Sequence, residues 1–348
     1  MPTGLVMRST GSRYIVRGAD GTLHTCVAKG NLRIKGWKST NPLAVGDRVE
    51  FTPETDLGST TQGADTEPVG AITELHDRAN YIVRRSVNLS HHKHVIAANL
   101  DQALLLVTLA RPRTSFGFID RFLVTAEAYR VPSIIVFNKV DSYTEEELDL
   151  LAEYEDAYRI AGYRSVITSA VKGIGLDEVK ALIHGKVTLV AGHSGVGKST
   201  LINAIAPDLE LPTFEVSEAS EKGQHTTTYA EMFELGSTPD HGLRASGLNP
   251  GNKPEARGPR HDASTFIIDT PGIKGFGLVD MAPEEIVDQF PEMFKLKNHC
   301  KFNDCKHMNE PGCAVKAAVE NGDIAESRYF SYIDMVNGVE EESPYRLD

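Results

Sequence analysis

The sequence predicts a multidomain chain: an all-β barrel at the amino end, a three-layer α/β domain in the centre, and a mostly helical metal-binding region at the carboxyl end. Three observations support this. Residues 1–75 hold short β-rich runs without a helical period. From about residue 96, apolar runs alternate with helical stretches. Three of the four cysteines, Cys300, Cys305 and Cys313, fall within fourteen residues near the carboxyl end. A chain of 348 residues, 41% of them hydrophobic, can build two or three cores.

Charge and hydropathy exclude some classes. Thirty-six Lys and Arg against 48 Asp and Glu leave a net charge of −12, which argues against a protein that coats nucleic acid with its whole surface. No apolar run reaches the roughly 18 residues of a membrane helix, and the first residues lack a signal-peptide layout. A soluble cytoplasmic protein with no membrane partner is expected.

The barrel is expected over residues 1–75, with strands near 4–6, 14–17, 23–28, 45–51 and 70–75 separated by Gly, Asn, Pro and Asp. Residues 42–51 alternate apolar and polar after a turn, as a barrel strand does. An oligonucleotide-binding (OB) barrel is the preferred reading and an SH3-like barrel the near alternative. Outside residues 54–67 the barrel carries eight Lys and Arg against Asp20, Asp47, Glu50 and Glu74, a hint of RNA binding. Tyr14 and Trp37 offer stacking surfaces, although packing in the core or rim is the commoner use of such residues. Cys26, alone on a strand, reads as core.

Residues 76–95 read as a basic linker, with Arg78, Arg84, Arg85 and Lys93 against Asp77 alone, and His76, His91, His92 and His94 among them. Lys295, Lys297, Lys301 and Lys306 surround the cysteine cluster in the same way. Such segments grip phosphate or simply form solvated surface.

The α/β domain is expected over 96–279. Apolar runs at 103–109, 133–137, 164–168, 187–191 and 265–268 suit a buried sheet, and residues 119–129, 144–161 and 175–183 read as helices. Residues 236–264, rich in Gly, Pro, Asn and charge, bury too little apolar surface to offset their ordering entropy. They are expected to form a flexible insertion at a strand turn.

Four motifs in this domain specify a guanine-nucleotide site. Gly192-His193-Ser194-Gly195-Val196-Gly197-Lys198-Ser199 matches the phosphate loop, between a buried strand and a helix beginning Thr200-Leu201. Its backbone N–H groups cradle phosphates, Lys198 offsets the charge between β and γ phosphates as a catalytic cation, and Ser199 offers a hydroxyl to Mg²⁺. Asn138-Lys139-Val140-Asp141 follows a strand, where the Asp141 carboxylate can accept two hydrogen bonds from guanine, so GTP is selected over ATP. Ser169-Ala170 fits the loop that gives a backbone N–H to the base carbonyl. Asp269-Thr270-Pro271-Gly272 ends a strand, with Asp269 in the magnesium shell and the Gly272 N–H facing the γ-phosphate.

Ile273 stands where many such sites have a water-orienting Gln. His225, in Gly223-Gln224-His225-Thr226-Thr227-Thr228, is the candidate replacement, the alternative being an exposed loop histidine. Thr226 or Thr227 is the candidate switch ligand to Mg²⁺. The base motif precedes the phosphate loop, an order that marks a circularly permuted GTPase.

Over 280–348, Cys300-x₄-Cys305-x-His307-x₅-Cys313 supplies three thiolates and an imidazole at spacings tetrahedral Zn²⁺ accepts. Four protein ligands leave no position for water, so one structural zinc is expected.

Barrel, permuted motifs and Cys-Cys-His-Cys cluster together resemble the RsgA (YjeQ) family of circularly permuted GTPases, which act in maturation of the small ribosomal subunit. Gln224 stands where that family often has Arg, and residues 236–264 are a further departure. The resemblance implies a monomeric, cytoplasmic GTPase that hydrolyses GTP to GDP and is stimulated by the small (30S) subunit, with barrel and zinc domain contacting 16S rRNA near the decoding region. Two alternatives stand beside it: a GTP-controlled module for another RNA, and a low-turnover scaffold stabilised by nucleotide. The chain runs from Asp269–Gly272 into the cysteine cluster with little slack, so loss of the γ-phosphate is expected to move the zinc-braced domain.

Overall fold

Five short strands close the amino-terminal barrel: β1 (Thr3–Ser9), β2 (Tyr14–Gly18), β3 (Leu23–Ala28), β4 (Arg48–Thr52) and β5 (Gly70–Leu75). The structure is a computed structural model and describes residues 1–29, 32, 43–54, 69–85, 93–213, 230–236, 264–270 and 281–339. Expectations for Trp37, His91, His92, the switch residues Gln224, His225, Thr226 and Thr227, the bulk of the insertion, Gly272 and Ile273 lie outside it.

Neighbours in the barrel run β1-β2-β3-β5-β4 and back to β1. Because β3 pairs with β5 in parallel, no run of consecutive hairpins can make this closure, which selects the OB barrel over the SH3-like one. Tyr14 and Cys26 are wholly buried in its core with Val6, Val16, Val49, Phe51 and Ile72, so the Tyr14 ring packs instead of stacking on a ligand.

The stretch read as a linker contains structure of its own. Strand β6 (Tyr81–Arg85) pairs antiparallel with β7 (Lys93–Ala98). Arg78 is buried against Asp47, with Nε 2.6 Å from Oδ1 and Nη2 2.6 Å from Oδ2. Residues 43–47 turn against this hairpin, with Ala98 N donating to Val45 O at 2.9 Å and Asn99 Nδ2 to Gly46 O at 2.9 Å. A sequence that looks like a basic spacer therefore bolts the barrel to the α/β domain.

The central sheet runs β10 (Arg164–Ile167), β9 (Ser133–Phe137), β8 (Gln102–Val107), β11 (Val187–Ala191), β13 (Thr265–Asp269), β12 (Glu231–Leu235). The first five are mutually parallel and β12 is an antiparallel edge. That edge is not left open: β1 of the barrel pairs with β12 at Arg8 and Glu231, merging barrel and core into one eleven-stranded sheet. Helices α1 (Phe116–Ala128), α2 (Glu145–Ala161), α3 (Leu176–Ile183) and α4 (Lys198–Ile205) connect the strands. Ser115 caps α1, and Thr144 with Glu147 forms a reciprocal capping box on α2.

Helices α5 (Pro283–Ile286), α6 (Pro291–Phe294), α7 (Ala314–Glu320) and α8 (Glu326–Val336) make the carboxyl-terminal domain. Its core of Ile286, Phe290, Met293, Val315, Ile324, Tyr332 and Met335 also takes in Val124 of α1. No helix among the described residues is long and apolar enough to cross a membrane.

Candidate functional site

The carboxyl ends of the parallel strands supply one row of loops: residues 169–170 after β10, 138–141 after β9, 108–114 after β8, 192–197 after β11, and Asp269 at the end of β13. Segments out of order in the chain are thus adjacent in space.

Asn138 joins them. Its Nδ2 donates to Val196 O of the phosphate loop at 2.9 Å, while its Oδ1 accepts from Thr168 Oγ1 at 3.0 Å and from Ala170 N at 3.3 Å. The side chain is buried, so all three bonds act in low dielectric. Lys139, in the left-handed conformation, donates from Nζ to Gly195 O at 2.7 Å and Arg111 O at 2.8 Å. Asp141, the last residue of that motif, is exposed.

Close approach here demands glycine. A Cβ on Gly192, at φ 146°, would lie 2.4 Å from Leu106 O, and one on Gly197, at φ 95°, would lie 2.5 Å from Asn138 Nδ2. Gly197 also opens α4, whose amino terminus faces the loop, so unpaired N–H groups and helix dipole favour an anion. Ser199 and Thr200 lie in its first turn, partly buried.

Lys198 is buried, with Nζ 3.0 Å from Gly192 O and 2.8 Å from His193 O. Burial pushes its ammonium down to about 8, partly opposed by the Asp269 carboxylate. Burial also lowers Lys139, with the Arg111 charge adding to the effect. Thr270 Oγ1 donates to Val190 O at 3.0 Å, fixing the end of β13 against the phosphate-loop strand. Asp269 is buried beside them.

Sequence reasoning missed several supports. Tyr143 donates to Asn138 O at 2.8 Å and accepts from Leu109 N at 3.0 Å. Thr168 and the Arg111 carbonyl also hold the base motif. A tyrosine two residues after the motif was a visible signal, whereas a backbone carbonyl has none. His193 stacks on Phe118 of α1, with ring centroids 3.7 Å apart.

In the carboxyl-terminal domain one donor atom from each of Cys300, Cys305, His307 and Cys313 lies within 4.8 Å of all the others. Cys300 Sγ is 3.5 Å from His307 Nδ1 and 3.9 Å from Cys313 Sγ, and His307 Nδ1 is 3.4 Å from Cys313 Sγ. A tetrahedron with bonds of about 2.3 Å to sulfur and about 2.0–2.1 Å to nitrogen has edges of about 3.8 Å and 3.6 Å, so the donor set fits Zn²⁺. Burial pushes the Cys305 thiol up to about 12 and raises Cys313, so a cation is needed to draw off the protons. Ala314 N at 3.3 Å from Cys300 Sγ and Lys316 N at 3.4 Å from Cys313 Sγ would support thiolates. Tyr329 and Tyr332 brace the loop through the carbonyls of His307 and Lys306.

Comparison with known proteins agrees with this geometry. Residues 3–60 match the family described as RsgA N-terminal domain, and residues 75–241 that described as RsgA GTPase. The Small ribosomal subunit biogenesis GTPase RsgA of Flavobacterium psychrophilum is 48% identical over 346 residues, covering 99% of this chain and 95% of the relative. That of Bacteroides fragilis is 49% identical over 343 residues, covering 99% and 98%. The crystal structure of YjeQ from Thermotoga maritima superposes with a TM-score of 0.70 at 33% identity, covering 97% and 98%. YloQ, a circularly permuted GTPase, does so with 0.64 at 26%, covering 97% and 95%. With half the residues shared over the full length and one architecture throughout, this chain belongs to the RsgA family of circularly permuted GTPases.

Proposed function

We propose that the chain hydrolyses GTP to GDP and phosphate as a late maturation factor of the small (30S) ribosomal subunit, which stimulates it. The observation that carries this reading is the Asn138 bridge, which ties a guanine-reading motif to a phosphate loop and to the 169–170 loop. A guanine nucleotide would touch all three segments at once, and that bridge sets them beside one another.

Asp141 accepts from the base, and the residues from Gly192 to Thr200 enclose the phosphates. Lys198 carries charge from the loop carbonyls to the β and γ phosphates. Ser199 and Asp269, with Thr226 or Thr227, would hold Mg²⁺, which when bound shields phosphate charge. The Gly272 N–H would meet the γ-phosphate, and His225 would orient the water. Cys300, Cys305, His307 and Cys313 would hold one Zn²⁺ that braces the domain.

The barrel and the zinc domain would contact 16S rRNA while the protein acts as a monomer in the cytoplasm. Exposed Phe294 and Phe302 support this, each lying under a lysine ammonium, Lys297 at 5.0 Å and Lys301 at 5.5 Å. Local cations on an acidic chain give binding that salt can reverse.

Co-sedimentation with purified small subunits tests the partner. Binding with a non-hydrolysable GTP analogue and release with GDP are expected. Equal binding to unrelated structured RNA would favour the RNA-module alternative, and no binding in either state the scaffold.

A further inference from the structure

Helix α1 lies between the nucleotide site and the carboxyl-terminal domain and is buried from Phe118 to Ala126. On one face, Phe118 lays its ring on His193 at 3.7 Å with the planes 29° apart, and Phe122, one turn on, packs in the same core. His193 is itself buried, and its carbonyl lies 2.8 Å from Lys198 Nζ.

Two residues along a helix turn the side chain by about 200°, so Asp120 faces the other way. There its Oδ1 meets Arg328 Nη1 at 2.7 Å and Tyr158 OH at 2.9 Å. Arg328 also grips Glu292, with Nε to Oε1 at 2.8 Å and Nη2 to Oε2 at 3.2 Å, and is wholly buried. Val124, one turn beyond Asp120, enters the carboxyl-terminal core. A charged triad with this burial tolerates little displacement, because any slip leaves a desolvated charge unpaired.

We propose that Phe118 is a positioning residue for the phosphate loop's hold on nucleotide: acting through His193 it sets the peptide that holds Lys198, and Arg328, clamping the opposite face of α1, lets the carboxyl-terminal domain govern that setting. Asp120 and Phe118 lie on one buried helix, so a shift imposed at the first is carried to the second by the backbone they share. This rests on the phosphate loop binding nucleotide and not on the identity of the ribosomal partner.

The test is a double-mutant cycle on the full-length chain, read as the dissociation rate of a fluorescent GDP, which needs neither hydrolysis nor subunits. Phe118→Leu and His193→Ala are each expected to speed release about tenfold, and the double variant no more than about twofold beyond either single one. Multiplying effects, or an unchanged rate in Phe118→Leu, overturn the proposal. The same chains are compared by amide exchange across α8, with GDP and with a GTP analogue. A nucleotide-dependent difference in the wild type that is lost in Phe118→Leu supports the link. No difference in the wild type, or the same one in both, removes the carboxyl-terminal arm. Melting midpoints within a few degrees of the wild type exclude general loosening.

Discussion

At the scale of residues, the site depends on two that do opposite things. Asp141 is exposed and Lys198 is buried; in the proposed reading the first accepts from the base and the second meets phosphate charge. Asp141→Asn replaces one of two acceptor oxygens by a donor opposite guanine N–H groups and removes the charge, so KM for GTP is expected to rise about a hundredfold, measured by steady-state turnover. A xanthine nucleotide, with a carbonyl at that edge, should lose much less. Lys198 titrates near 8 in the nucleotide-free chain, below its usual 10.5. The native state therefore binds fewer protons than the unfolded one between those values, and stability rises with pH across that window. Phosphates raise the pKa again, so GTP binding at pH 8 should take up about half a proton and weaken at higher pH. Calorimetry in two buffers of different ionisation enthalpy reads this directly.

Elements show why some of the site was legible and some was not. The phosphate loop is contiguous, and its glycines, lysine and serine announce their geometry. Asn138 was legible as a base reader, but its bond to Val196 spans 58 residues and appears only when β9 and β11 flank β8. Asp120 in the otherwise apolar start of α1 was a visible anomaly, yet its partner Arg328 is 208 residues away. Tyr143→Phe removes the hydroxyl that joins Asn138 O to Leu109 N, and a loss of about 1–2 kcal/mol in denaturant unfolding is expected. The convergence of Cys300, Cys305, His307 and Cys313 was legible from spacing alone, because four such residues within fourteen constrain one another. The purified chain should carry about one zinc, and Cys313→Ser should lose most of it and melt lower, as metal analysis and thermal unfolding would show.

For the whole molecule, barrel and core share one sheet through β1 and β12, a joint that strand patterns could not reveal. The strand that receives the barrel, β12, begins at Glu231, just after the segment holding His225. Arg78 and Asp47 pair at a second joint, where residues 43–47 meet the β6–β7 hairpin. Arg78→Ala leaves the buried Asp47 carboxylate with a backbone donor but no counter-charge, and about 3–5 kcal/mol of stability should go with it in a urea titration. The motif order also gains a physical meaning. The chain after Asp269 leads to the carboxyl-terminal domain, while α1 clamps that same domain from within the core. In the proposed reading, nucleotide state and subunit docking both act through α1 and the domain it clamps. The most direct measurement is GTP turnover by the full-length chain with and without purified small subunits. The account predicts slow intrinsic hydrolysis raised by at least about tenfold on subunit addition, with ATP inert; turnover unmoved by subunits would contradict it.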